Sequence, residues 1–196
     1  YDVVAPENAD PGYDVTELLA QNNYDELKMV KGAENFFTSM GFDALPETFY
    51  ERSLFVKPKD RDVQCHASAW NIDSKDDLRI KMCIQRTGEE FSVIHHELGH
   101  NFYQRAYNKQ PLFYQESAND GFHEAIGDTI VLSMTSAYLK EKGLVPEVTR
   151  SEQATINEQM KLALDKIAFL PFGKLIDQWR WRVFSGEITP ENYNAG

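Results

Sequence analysis

GEEFSVIHHELGHNFYQRAYN, residues 88–108, reads as one long helix that ends before Pro111. Inside it, HHELGH at 95–100 contains the pattern His-Glu-x-x-His, with His96, Glu97 and His100. A four-residue step turns a helix through about 400°, so His96 and His100 stand one above the other on one face. Two imidazoles placed in this way share one tetrahedral zinc ion through ring nitrogens at about 2.0–2.1 Å. Glu97 sits one position round, where its carboxylate reaches a water on the metal rather than the metal itself. Zinc lowers the pKa of that water, and the carboxylate takes its proton as it attacks a carbonyl.

A catalytic zinc needs a third protein ligand and keeps its fourth position for water. GFHEAIGD at 121–128 offers Glu124, 24 residues beyond His100. It lies on the next helix, expected from Asn119 or Asp120 to about Lys142, with Gly143 as its terminator. A loop at Pro111 lets the two helices pack together and brings Glu124 to the histidine face. Asp128 follows Glu124 by four and shares its face, suited to accept the spare N–H of a ligand histidine. The neighbouring Ile126, Ile130 and Val131 imply that this helix is substantially buried, where unpaired carboxylates are costly and call for a cation or donors. His95 and His123, each next to a ligand, point to other faces and read as structural residues or partners of the ligands.

The rest of the chain bounds the function. Its 196 residues and 22.5 kDa suit one compact domain or a piece of a larger one. Aromatics at 12% and regular apolar spacing supply enough surface to bury, which excludes disorder. Twenty basic against 31 acidic side chains give 20 − 31 = −11, and no basic face suits nucleic acid. No run of 18 apolar residues occurs, so nothing here spans a membrane. The start, YDVVAPENADPGYD, is acidic, polar and without Met, which points to a removed leader or a longer parent chain. Asp25 caps a helix carrying Leu27, Val30, Ala33, Phe37 and Met40, stopped by Gly41, and Pro46 opens a short helix to about Leu54. After a loop from Phe55 to Arg61, strand-like runs at Cys65–Trp70 and Leu78–Ile84 flank NIDSKDD as a hairpin. Thr149 and Glu152 have capping-box spacing for a last helix that bends or restarts at Pro171 and ends at Gly186. Trp70, Trp179, Trp181 and the Phe169–Phe172 pair are expected in the core. Cys65 and Cys83, 18 apart, leave free thiols and a disulfide equally open.

CHASAW at 65–70, HHELGH at 95–100, GFHEAIGD at 121–128 and KIAFLPFGKLIDQWRWRVFSG at 166–186 together resemble the angiotensin-converting enzyme family, zinc peptidyl-dipeptidases of the gluzincin type. The resemblance runs from about Tyr24 onward. It implies a mainly α fold, a helical zinc metallopeptidase with a small β-hairpin near the active site. It also implies His96, His100 and Glu124 as zinc ligands, Glu97 as general base and Asp128 as the carboxylate behind a ligand. His66 and Ala67 match the edge segment that holds substrate beside the metal, and Phe169 an aromatic lining the pocket for the final substrate residue. Cys65 and Cys83 match a disulfide pair, which implies an extracellular, secreted or periplasmic location, with any membrane anchor outside this segment. The implied partner is an oligopeptide with a free C-terminus, cut to release dipeptides.

The departure from the family is one of extent. The resemblance makes residues 1–196 a single segment, the zinc-bearing middle of a larger helical catalytic domain, with no separate second domain. The family's oxyanion-stabilising His and Tyr, its Lys and Tyr for the substrate carboxylate, and its chloride-binding arginines fall beyond Gly196. A chloride site is implied by resemblance alone, and the remainder of the catalytic domain is an implied partner. The alternatives are a zinc carboxypeptidase releasing single residues, an endopeptidase with the same ligands, or a zinc-binding but inactive fragment or pseudoenzyme.

Overall fold

A computed structural model describes residues 13–145 and 152–195. The described residues divide into two compact units, 13–145 and 152–195. In the first unit the described α-helices and strands are α1 (Val15–Gln21), α2 (Glu26–Ser39), α3 (Glu47–Arg52), β1 (Ser68–Asn71), β2 (Leu78–Lys81), α4 (Gly88–Asn108), α5 (Asp120–Leu132) and α6 (Ser136–Glu141), with a 3-10 turn at Leu112–Tyr114. The mainly helical class expected from the sequence is the one observed. Asp14, Asp25, Thr87, Asn119 and Thr135 each accept a hydrogen bond from the backbone N–H three residues on, satisfying a donor that the first helical turn leaves open.

The core forms around α4. Phe91, Ile94, Leu98 and Phe102 line one face of this helix and are buried against Met29, Val30, Ala33 and Phe37 of α2, with the Phe37 and Phe102 rings stacked at 4.1 Å. Helical rotation puts His95 beside that stripe and His96 and His100 roughly 140–180° from Phe91. His95 is accordingly fully buried, its Nδ1 2.7 Å from the Phe91 carbonyl and its Nε2 2.7 Å from the Tyr138 hydroxyl. The apolar stripe of α2 is narrower than its sequence suggests. Leu27 stands roughly 100° round the helix from the buried residues, Met40 lies past its end, and both are exposed.

The hairpin pairs Ser68 with Lys81 and Asn71 with Leu78, antiparallel. Its turn is built on Asp73, whose Oδ1 accepts from the backbone N–H groups of Lys75, Asp76 and Asp77. Arg79 and Arg52 grip Asp77 and hold its carboxyl down to about 2. The short helix stops at Arg52, before the expected Leu54. The Leu54 N–H donates to the Ile80 carbonyl and its own carbonyl accepts from Met82, so β2 takes the backbone groups that a longer helix would use. Asn101 fastens the hairpin to α4, its Nδ2 lying 3.0 Å from Gln104 Oε1 and within 3.5 Å of the Trp70 and Arg79 carbonyls.

Three other expectations are corrected. The single helix to Lys142 is two, because Thr135 caps a new start at Ser136 after α5 has closed on Ser133. Gly143 does follow the end of the second, at φ +69°. The burial expected for α5 is also wrong. Only Gly127 is buried, while Ile126, Ile130 and Val131 are half-buried, because one side of the helix packs on α4 and the other faces outward. The aromatics are not core either. Trp70 faces out of the pleat with its Nε1–H on Ser68 Oγ, and Trp181, Phe169 and Phe172 are more than half exposed.

Those last residues belong to the second unit, where α7 runs from Glu152 to Phe184 as one helix through Pro171. It does not restart there, and Gly186 beyond it has φ +80°. Apolar side chains occur on all sides of α7, so no single packing face can take them all. The Thr149 capping position lies outside the described residues. No described helix is long and apolar enough to cross a membrane.

Candidate metal centre

Close helix packing assembles the centre. A Cβ built on Gly99 of α4 would come within 3.0 Å of Gly127 Cα on α5, so the two helices touch backbone to backbone at this pair of glycines. That approach carries Glu124, one turn before Gly127, over the α4 histidines. His96 Nε2 and His100 Nε2 are 3.0 Å apart. Glu124 Oε2 lies 3.2 Å from His96 Nε2, and Oε1 3.8 Å from His100 Nε2. Among the described residues, His96, His100 and Glu124 are the group whose ligand atoms converge, all within 4.8 Å of one another. Ligands about 2.0–2.1 Å from a tetrahedral centre stand about 3.3–3.4 Å apart, so the donors fit one zinc-sized ion.

The surroundings set the chemistry of these donors. Burial, and then the neighbouring His96, hold the His100 ring down to about 4, which keeps it neutral and its lone pair free for a metal. His96 presents its other nitrogen, Nδ1, to Asp128 Oδ1 at 3.3 Å. Glu97 is buried, and its Oε2 has no hydrogen-bond partner among the described residues. Burial first, and then the charge of Glu124, push this carboxyl up to about 7. A carboxylate with an orphaned oxygen beside a metal is equipped to hold and deprotonate a water.

His96, Glu97, His100 and Glu124 line a cleft of about 380 Å³, and His66 and Ala67 line it with them. His66 Nδ1 lies 2.9 Å from the Ala67 carbonyl. Ser68 and Ala69 of β1 continue that wall. Cys65, next to His66, is bonded to Cys83 across a Cα separation of 5.1 Å, so the alternative left open by cysteine count is settled as a disulfide. Phe169 lies in the other unit, on α7, 58% exposed.

The sequence reading missed the glycines. A Cβ on Gly127 would stand 2.6 Å from His96 Nδ1 and 2.7 Å from Cε1, so the His96 ring occupies the space that a side chain would fill. The available signal was a glycine in the middle of a helical run, which costs about 1 kcal/mol against alanine and so implies a packing reason. Gly127→Ala is expected to displace the His96 ring or part the helices. It should lower stability by about 1–3 kcal/mol and weaken zinc binding. Thermal melting with zinc titration checks this, and unchanged values for both would contradict the close packing.

The model of one peptidase family, described as angiotensin-converting enzyme, matches residues 1–196. The chain belongs to the angiotensin-converting enzyme family. It is 46% identical over 196 residues to the angiotensin-converting enzyme of Bos taurus, covering 99% of this chain and 15% of the relative. Against the family member of Theromyzon tessulatum identity is 45% over 186 residues, 94% of this chain and 30% of that one. Against that of Haematobia irritans exigua it is 42% over 196 residues, 99% and 32%. The chain thus spans between about a seventh and a third of the length of these family members, and in it the matched region contains the whole histidine and glutamate cluster.

Proposed function

We propose that this chain carries the zinc centre of a peptidyl-dipeptidase, which removes dipeptides from the free C-terminus of oligopeptides. One observation carries the reading. Two imidazole nitrogens and a carboxylate converge within ligand distance of one point, beside the orphaned Oε2 of Glu97, on the floor of an open cleft. Two His and one Glu are a donor set of hydrolytic zinc enzymes, and the set leaves a coordination position for water. Zinc bound there supplies an acidified water and polarises the substrate carbonyl.

The chain's own residues supply the rest. Glu97 Oε2 accepts the water's proton as the water oxygen adds to the substrate carbonyl carbon, and Glu97 returns that proton to the leaving amine nitrogen as the C–N bond breaks. Asp128 accepts the His96 Nδ1–H and keeps the Nε2 lone pair turned inward. The wall from His66 through Ala69 offers an extended peptide a backbone edge to pair with. The disulfide suits an oxidising compartment, secreted or periplasmic.

The reading is tested by mass spectrometry of an amino-blocked oligopeptide incubated with the intact protein and zinc. Stepwise loss of C-terminal dipeptides, stopped by a chelator, is expected. Loss of single residues, internal cleavage, or no zinc-dependent cleavage would overturn it.

A further inference from the structure

The two candidate ligand histidines turn their spare nitrogens to different partners. His96 Nδ1 faces the Asp128 carboxylate. Among the described residues, His100 Nδ1 faces no carboxylate at hydrogen-bond distance. It lies 3.0 Å from Nδ1 of His123, the residue before Glu124 on α5. Nε2 of His123 in turn lies 3.2 Å from the Tyr107 hydroxyl on α4. The His123 ring is fixed on its flanks as well, with the Tyr103 ring at 4.9 Å and the Tyr107 ring edge-on at 5.7 Å.

We infer that His123 is a positioning residue for the metal centre, accepting the Nδ1 proton of His100 and so holding that ring in its metal-binding tautomer. The inference rests on the proposed zinc reading and follows from proton counting. A neutral imidazole carries one proton on its two nitrogens. For His100 Nε2 to offer a lone pair to a metal, the proton must sit on Nδ1. The group 3.0 Å away must then accept it, so His123 Nδ1 is bare and the His123 proton is on Nε2, where the Tyr107 oxygen accepts it. The opposite tautomer of His123 would set two N–H groups against each other and favour a rotated His100. Neighbouring residues of α5 thus do two jobs, Glu124 as ligand and His123 as the orienting partner of another ligand. Because His123 is a neutral acceptor, this second support adds no negative charge to a site already holding Glu97, Glu124 and Asp128.

Zinc affinity of the full chain, measured by competition with a chromogenic chelator, tests this in three proteins alongside their metal-free melting temperatures. His123→Leu keeps the bulk and removes the acceptor, and is expected to weaken zinc binding by about 10–100-fold. His123→Asn places its amide oxygen near the position of the ring Nδ1 and is expected to recover most of that loss. A merely structural role predicts instead that both variants lose affinity equally, in step with their metal-free stability, and that result would overturn the inference. So would a Leu variant that binds zinc like the wild type. Failure of the wild type itself to bind zinc would sink the zinc reading as a whole, whereas a tight wild type with an unaffected Leu variant would sink the role of His123 alone.

Discussion

Glu97→Gln is expected to abolish zinc-dependent peptide hydrolysis and leave the metal in place. The side chains are isosteric, so the amide fills the same buried position on α4 at the cleft floor. What is lost is the basic oxygen. Among the described residues Oε2 has no hydrogen-bond partner, so an amide nitrogen in its place breaks no hydrogen bond there, and the expected loss falls on proton transfer. Positioned general bases contribute about 10²–10⁴ in rate, and in the proposed mechanism one group both takes and returns the proton, which places the expected loss at the upper end. Steady-state cleavage of the amino-blocked peptide by the intact protein, with zinc content measured on the same sample, separates the two effects. Activity near that of the wild type would remove Glu97 from the mechanism. Lost activity together with lost zinc would assign it to the structure of the site.

The parts of this centre that were legible in the sequence are those governed by local geometry. The limits of α4, Gly88 and Asn108, follow from helix signals at each end, and the shared face of His96 and His100 follows from rotation per residue. His95 was legible for the same reason, since rotation alone turns it toward Phe91 and away from its neighbour His96. Features that depend on what lies opposite a residue were not legible. Ile126, Ile130 and Val131 have apolar spacing, but spacing does not say that α5 offers only one side to α4. The aromatics of α7 are apolar in every direction, and composition cannot say which of them is covered. The break between α5 and α6 depends on whether Ser133 and Thr135 bond their own backbone, a choice that tertiary packing decides. Gly99 and Gly127 carry no chemistry, so nothing in a motif reading marked them, yet their contact sets the distance from Glu124 to the histidines.

That distance gives Glu124→Ala its expected effect, loss of bound zinc without loss of the fold. The Glu124 side chain is 72% exposed, and in the described structure its close polar contacts are the two histidine nitrogens. Truncating so exposed a side chain shifts stability by no more than about 0.5 kcal/mol in the metal-free protein. In the presence of zinc the comparison reverses. Substitution of partners behind metal ligands already costs about 10–100-fold in affinity, so removal of a ligand should exceed about 100-fold. At a zinc concentration about 100 times the wild-type Kd, binding stabilises the wild type by about 2.7 kcal/mol. For a chain of this size that raises the melting temperature by about 5–10 °C. The variant should melt with the wild type when both are stripped by a chelator, and gain almost nothing when zinc is restored. Equal zinc content in the two proteins would show that the exposed carboxylate is not a ligand. A variant melting well below the wild type without metal would show that Glu124 supports the packing of α5 on α4 rather than the ion.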